Sequence, residues 1–311
     1  MSRVLVLGAQ GYLGRAAWHA LVGAGHQVVA HVHRPLAPPQ AAVFAPWCSA
    51  DLGTASSGEV RDLIEQSEAE VVVNCVGATN GSVRELRAAN LTVPAHVVDV
   101  VARLPQVRYV HLGSAAEYGA SEPGRPARET DVPHPISEYG AIKLAATSLV
   151  MERAQLGDLA AVVLRVFNPV GPGAPTTGVA GRAAAELRRA VLAGEREIRL
   201  GPLDSWRDYV GVDDVAGAIA AVVSHPVDEA AHIVNVGSGL ARSTRELISQ
   251  LTEIAEFRGT ILESAPASAR SDGVDWQEAD ITVLRERYGF HPTQSIEQML
   301  HGLWRDAQVG V

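Results

Sequence analysis

The sequence predicts an α/β protein: a doubly wound parallel sheet followed by a smaller, mixed α/β C-terminal region. Three observations carry that prediction. Short apolar runs alternate with amphipathic stretches through the first two-thirds of the chain. The runs are continuous rather than alternating, and the chain opens on an apolar run, a glycine turn and a helical pattern. Continuous, β-branched-rich strands suit a parallel sheet covered on both faces. Strand–helix alternation winds such a sheet in both directions.

The strands, in order, are "VLVL" (4–7), "VVAHV" (28–32), "VVVNCV" (71–76), "VRYVHL" (107–112) and "AAVVLRVF" (160–167). Helical patterns lie between them at 12–23, about 57–67, 84–103 and 137–154. The pattern then changes. "NPVGPGAPTTG" (168–178) is rich in Pro and Gly and reads as a loop. Helices are expected at about 179–193, 212–224, 243–256 and 293–306, with short strands near 208–210 and 232–235. Residues 1–170 therefore form the expected doubly wound domain and 171–311 the smaller C-terminal region, with some chain crossing back near 205–240.

The first element has a chemical reading of its own. "VLVLGAQGYLGRAAWHAL" is a strand, a tight turn with Gly8, Gly11 and Gly14, and a helix whose first turn holds Tyr12 and Leu13. A pyrophosphate needs a sharp turn, bare backbone and a helix N-terminus with free N–H groups, and this stretch offers all three. The spacing is G-x-x-G-x-x-G rather than G-x-G-x-x-G, so the placement carries more weight than the triplet alone.

The ribose 2′ position is read at the end of the second strand. An acidic residue there suits a 2′-hydroxyl and a basic one a 2′-phosphate. No acidic residue lies between Gly25 and Cys48, whereas His33 and Arg34 stand at the strand end. This favours NADP(H) over NAD(H); an Arg34 that is only solvated, with backbone holding NAD, is the other reading. "ADL" places Asp51 and Leu52 near the adenine, and "NCVGAT" places the backbone of Val76, Gly77 and Ala78 against the cofactor.

Composition narrows the function classes. The 311 residues are 47% hydrophobic and 20% charged, ordinary for a globular protein, and the net charge of −9 gives no reason to expect a nucleic-acid partner. The two cysteines, Cys48 and Cys75, lack metal-type spacing and read as small buried or semi-buried side chains. The apolar run at the start is only four residues, too short for a secretory signal, and no run approaches the ~18 apolar residues of a membrane span. A cytoplasmic protein without a metal is expected.

A second strand end carries "HLGSAAEYG" (111–119), with Ser114 at the edge where doubly wound folds place their sites. "SEYGAIK" (137–143) follows on a helix, where Tyr139 and Lys143 lie one turn apart on one face. That spacing alone arises often by chance. Together, GAQGYLG, GSAAEYG, YGAIK, RVFNPVGPG, SWRDYVGVDDVAGAI (205–219) and NVGSG (235–239) resemble the extended short-chain dehydrogenase/reductase family, in its nucleotide-sugar branch. The pieces run in order along nearly the whole chain, and the resemblance implies a Rossmann-like fold.

The resemblance implies Ser114, Tyr139 and Lys143 as the catalytic triad. The chemistry fits: a ketone taking hydride needs a proton, and a tyrosine, pKa ~10 when unperturbed, is brought nearer working pH by an adjacent ammonium. Lys143 would also bond the nicotinamide ribose and Ser114 hold the substrate oxygen; a plain turn residue is the bland reading of Ser114. The resemblance further assigns Asn168, Arg207 and Arg270 to the substrate, the arginines clamping a diphosphate through bidentate contacts. Arg207 could instead pair with Asp208 or Asp213. The stretch around Arg270 departs from the family, with Gly273 where an acidic residue is common.

A 4,6-dehydratase needs an acid–base pair beside the triad serine, and those positions are Ala115 and Ala116, so dehydration is disfavoured. Glu117, one place on, would point to another face and reads as structural or at most a substrate contact. The sequence also looks like the GDP-4-keto-6-deoxymannose reductases and related 4-ketoreductases. The expectation is an NAD(P)H-dependent reductase of a nucleotide-linked 4-keto-6-deoxysugar. The rivals are an epimerase with bound NAD, an enzyme acting on a non-sugar carbonyl and a noncatalytic NADP-binding regulator. The helices at 84–103 and 137–154 match those through which relatives form a homodimer.

Overall fold

The computed structural model of the chain describes residues 1–35, 43–44, 46–226, 231–266 and 273–309. Six of the strands in the large sheet are β1 (Arg3–Leu7), β2 (Gln27–Val32), β3 (Trp47–Ser49), β4 (Val71–Asn74), β5 (Arg108–Ser114) and β6 (Ala161–Val166). The seventh, β10 (Ala231–Val236), comes from the C-terminal part and pairs with β6. The order is β10-β6-β5-β4-β1-β2-β3, with every neighbouring pair parallel. The chain leaves β1 toward β2 on one side and returns to β4 on the other. That reversal opens a crevice at the carboxyl ends of β1 and β4, where open α/β sheets bind ligands.

Helices cover both faces because the strands are apolar on both. On one face α1 (Tyr12–Gly23) and α7 (Val212–Ser224) pack over Val4, Val6, Val71, Val73, Val110 and Leu164. On the other, α2 (Ser57–Gln66), α4 (Val93–Val101) and α5 (Glu138–Gln155) pack over Leu5, Leu7, Val72, Tyr109 and Val163. The expected single helix at 84–103 is in fact three joined pieces. A short α3 (Val83–Arg87) leads through a π-helical turn (Ala88–Thr92) into α4.

The third core belongs to the C-terminal region. It gathers Leu187 of α6 (Val179–Ala193), Ile248 of α8 (Thr244–Ile254) and Leu300 of α10 (Ile296–Val309) around Ile198, Leu200 and Tyr209. Its sheets are small. β9 (Trp206–Gly211) is flanked by β11 (Ala241–Ser243) and β13 (Trp276–Gln277) and also pairs with β7 (Asn168–Val170); β8 (Glu197–Leu200) pairs with β12 (Thr260–Glu263). The expected loop at 168–178 therefore begins as a strand: Asn168 to Val170 lie in register with Tyr209 to Gly211. A short helix, α9 (Thr282–Tyr288), lies beyond β13, and its Leu284 joins the large sheet's core. Among the described residues no helix is long and apolar enough to cross a membrane, and no cluster of metal-ligating side chains forms.

Candidate active site

The glycine turn sits at the mouth of the crevice. Gly8 has φ +73°, a conformation that favours glycine. Gly14 is dictated by closeness, since a Cβ there would lie 2.1 Å from the Gly8 carbonyl oxygen. Only glycine lets α1 rest directly on the end of β1. The helix starts at Gly11 with no side-chain cap and no acidic residue in its first turn. Its free N–H groups and dipole are therefore open to an anion, with Tyr12 and Leu13 on that first turn. The residues present fit a dinucleotide pyrophosphate.

His31 holds this turn from below, and nothing in the apolar run of β2 marked it. Its ring is buried; Nδ1 accepts from the Gly8 N–H at 3.4 Å and Nε2 donates to the Ala50 carbonyl at 3.0 Å. Burial lowers the imidazole to about 4, so it is neutral at ordinary pH. Across the crevice, Asn74 Oδ1 accepts from the Val76 N–H at 3.0 Å. Asn90, on the π-helical turn, brackets Ala78 by accepting from its N–H (3.3 Å) and donating to its carbonyl (2.8 Å). Gly77, Val76 and Ala78 are thus held facing the glycine turn. Asn90 is a second site residue the sequence reading missed; a buried Asn in an apolar helical run was the available signal.

The 2′ end is more mixed than the linear sequence suggests. β3 lies in register beside β2, and the chain after it carries an acid to the strand end: Asp51 Oδ1 is 3.7 Å from His33 Nδ1. Both side chains are solvent-exposed, as is Arg34, while Leu52 is buried in the core below. The carboxylate absent from 26–47 is supplied across the sheet.

The chemical centre forms where β5 ends against α5. Ser114 closes the strand, and its Oγ accepts from the Ala116 N–H at 3.2 Å. α5 begins at the Ser137 cap, whose Oγ accepts from the Gly140 N–H at 3.1 Å. A Cβ on Gly140 would be 2.3 Å from the Ala116 carbonyl oxygen, so the first turn of α5 lies directly on the turn after Ser114. Tyr139 is half-buried on that turn. One turn later Lys143 is 4% exposed, and its Nζ donates to the Leu112 carbonyl at 2.5 Å. An ammonium has three protons to donate, and this one is anchored on β5 two residues before Ser114. Its charge is felt around it: burial holds His111 well below the usual imidazole range with help from Lys143, and burial pushes the Cys75 thiol up to about 12 against the pull of Lys143.

Beneath Ser114 lies a buried ion pair. Glu117, with no exposed surface, meets the Arg165 guanidinium of β6 at 2.8 Å, and Arg165 stacks 4.5 Å over the Tyr118 ring. Glu117 therefore points into the interior.

The C-terminal pieces reach the same place. Gln277 of β13 donates to the Ala115 carbonyl at 2.9 Å. Asn168 donates to the Asp208 carbonyl at 3.0 Å, tying β7 to β9. Arg207 is buried, donating to the carbonyls of Trp206 (2.9 Å) and Val274. Burial lowers its guanidinium, with Tyr209 and Asp275 working the other way. Asp208 does not pair with it: its oxygens accept from the Ser238 N–H and Oγ, the Gly239 N–H and the Ala279 N–H at 2.6–3.1 Å. Burial raises this carboxyl above its usual range, and the four donors oppose that. Asp213 accepts from Gln294 at 2.9 Å. Arg270 lies outside the described residues.

Comparison with known proteins bears on the whole arrangement. The model of the NAD dependent epimerase/dehydratase family matches residues 4–237. A dTDP-6-deoxy-L-talose 4-dehydrogenase (NAD(P)(+)) of Kitasatospora kifunensis is 32% identical over 306 residues, covering 97% of this chain and 95% of that protein. A GDP-6-deoxy-D-mannose reductase of Pseudomonas aeruginosa is 31% identical over 202 residues, 64% of this chain and 65% of its own. Among solved structures, MoeE5 in complex with UDP-glucuronic acid and NAD superposes with a TM-score of 0.84 at 26% identity, over 99% of both chains.

Proposed function

We propose that this chain, which belongs to the NAD-dependent epimerase/dehydratase family, is an NAD(P)H-dependent reductase of a nucleotide-linked 4-keto-6-deoxysugar. The observation that carries the reading is the buried Lys143, pinned to the Leu112 carbonyl one turn from Tyr139 and beside the strand end that bears Ser114. The relatives support the sugar chemistry. A 6-deoxysugar 4-dehydrogenase run backwards is a 4-ketoreductase, since hydride transfer is reversible.

Each residue then has a task. The bound cofactor supplies the hydride to the carbonyl carbon. The Ser114 hydroxyl holds the carbonyl oxygen by a hydrogen bond, and Tyr139 delivers its proton to that oxygen as negative charge builds there. Lys143 stabilises the phenolate left behind and is the group we assign to the nicotinamide ribose. The glycine turn and the start of α1 hold the pyrophosphate, flanked by the backbone of Val76 to Ala78. Asn168 and Arg207, with Arg270, are proposed for the nucleotide-sugar substrate. Ala115 and Ala116 offer no proton shuttle for loss of water. NADP(H) is the proposed partner through Arg34 and His33.

Asp51 beside His33 gives the second reading its footing, because a carboxylate at the 2′ end suits NAD and an epimerase that retains it. We also propose a homodimer through α3–α4 and α5, whose Ala141, Ala145 and Ser148 are exposed on one face. A monomeric mass at micromolar concentration would overturn that.

The deciding assay follows absorbance at 340 nm with NADPH or NADH and a panel of nucleotide 4-keto-6-deoxysugars. Cofactor consumption is expected, with NADPH preferred, and Tyr139→Phe should lower kcat about 10²–10⁴-fold while still binding cofactor. Interconversion of nucleotide sugars with no added cofactor, and no reduction of any ketone in the panel, would sink the reading in favour of an epimerase.

A further inference from the structure

Glu117 takes no part in the chemistry proposed above, yet its carboxylate bonds to both elements that carry Ser114, Tyr139 and Lys143. Oε1 accepts from the Ser114 N–H at 2.8 Å and from the Thr147 hydroxyl at 3.1 Å, and Oε2 accepts from Arg165 Nε at 2.8 Å. Those partners sit on the end of β5, on α5 and on β6. Thr147 is one turn beyond Lys143 and two beyond Tyr139, so the three share a face of α5. Gly113 makes the arrangement possible, because a Cβ there would stand 2.7 Å from Oε1. α5 is thus fastened to β5 at two heights: Lys143 on the Leu112 carbonyl, and Thr147 on the carboxylate that also grips the Ser114 amide. The upper fastening uses a group with other work to do at the cofactor. The lower one is wholly buried and has no other use.

We propose that Glu117 is a positioning residue: through Thr147 and the Ser114 amide it fixes how far the Tyr139–Lys143 face of α5 stands from Ser114. The inference rests on the reading of those three residues as the reacting set. A hydride and proton transfer tolerates little error in that spacing, and a misplacement of about 1 Å can cost 10²-fold. The Arg165 pair holds the carboxylate by Oε2, which leaves Oε1 turned to donors on two different elements. Gln277 closes the turn from the far side by donating to Ala115, which leaves the carboxylate as the link between this turn and the body of α5.

The test removes one hydroxyl. Thr147→Val keeps the shape of the side chain and deletes the bond to Oε1; Thr147→Ser puts the hydroxyl back. The valine variant should lose about 10-fold in kcat with KM for NADPH unchanged and a near-native melting curve, and the serine variant should recover most of the rate. A valine variant with wild-type kcat would overturn the proposal, whatever its stability. Turnover is read on any carbonyl whose reduction Tyr139→Phe slows by about 100-fold or more, so a wrong substrate class leaves the result readable. Should no carbonyl turn over, hydrogen exchange of the Ser114 amide decides: faster in the valine variant than in wild type supports the link, and equal rates overturn it.

Discussion

Among the described residues two carboxylates are buried without exposure, one on each side of the site, and they are held by different means. Glu117, under the end of β5, faces a guanidinium and two neutral donors. Asp208, where β9 meets the large sheet, receives three backbone N–H groups and a serine hydroxyl. A buried charge is tolerated only when it is paired or fully hydrogen-bonded. The two solutions have different consequences. An ion pair leaves a second charge behind when one partner is lost; a cage of amides leaves only orphaned dipoles. The region around Ser114 should therefore be the more fragile to single substitutions and the junction at Asp208 the more forgiving.

The largest effect is expected at Arg165. Arg165→Leu leaves Glu117 buried without its ion-pair partner, which costs about 3–5 kcal/mol in comparable pairs. Urea unfolding should show that loss, and pairing it with Glu117→Gln should recover part of it. If Arg165→Leu proves nearly neutral, the contrast between the two carboxylates fails at its strongest point.

His31 offers a third case, a buried group kept neutral rather than paired. Its folded value of about 4 lies below the unfolded value of 6.5, so unfolding takes up a proton. Its contribution is whole above pH 6.5, falls as pH drops and is lost below about 4. Between pH 7 and 4.5 the wild type should lose about 2–3 kcal/mol more than His31→Leu. Equal losses would show that the imidazole is not the group that titrates.

How far these features could be read in advance depended on the distance over which they are built. The large sheet was legible because its strands are long apolar runs, and the glycine turn because its parts are consecutive. The Tyr139–Lys143 face was legible because one turn of helix fixes it. Glu117 was visible as a residue aimed away from the Ser114 side chain, but its partner lies 48 positions on, near the end of β6. Strands β7, β8 and β11 to β13 are two to four residues long, so local pattern could not define them. β3 was missed for the same reason, and with it the meeting of Asp51 and His33. The cage around Asp208 joins residues 208, 238, 239 and 279, and no local pattern in the sequence announces it.

The smallest effect is expected at that cage. Asp208→Asn keeps one acceptor oxygen and turns an NH2 group toward the remaining donors. The amide can place that group on the Ser238 side, where the hydroxyl can turn to accept, which leaves a single backbone N–H without a partner. One orphaned donor costs about 1–3 kcal/mol. Burial favours a neutral side chain here and the four donors favour an anion, so the measured value also weighs those two against each other. A loss near the lower end means that the neutral form was already close to acceptable. A loss as large as that of Arg165→Leu would mean that the negative charge itself, rather than the count of satisfied N–H groups, holds the β10–β11 turn to β9. In that case amide dipoles and a guanidinium are equivalent ways of burying a carboxylate in this fold, and the two sides of the site are equally fragile.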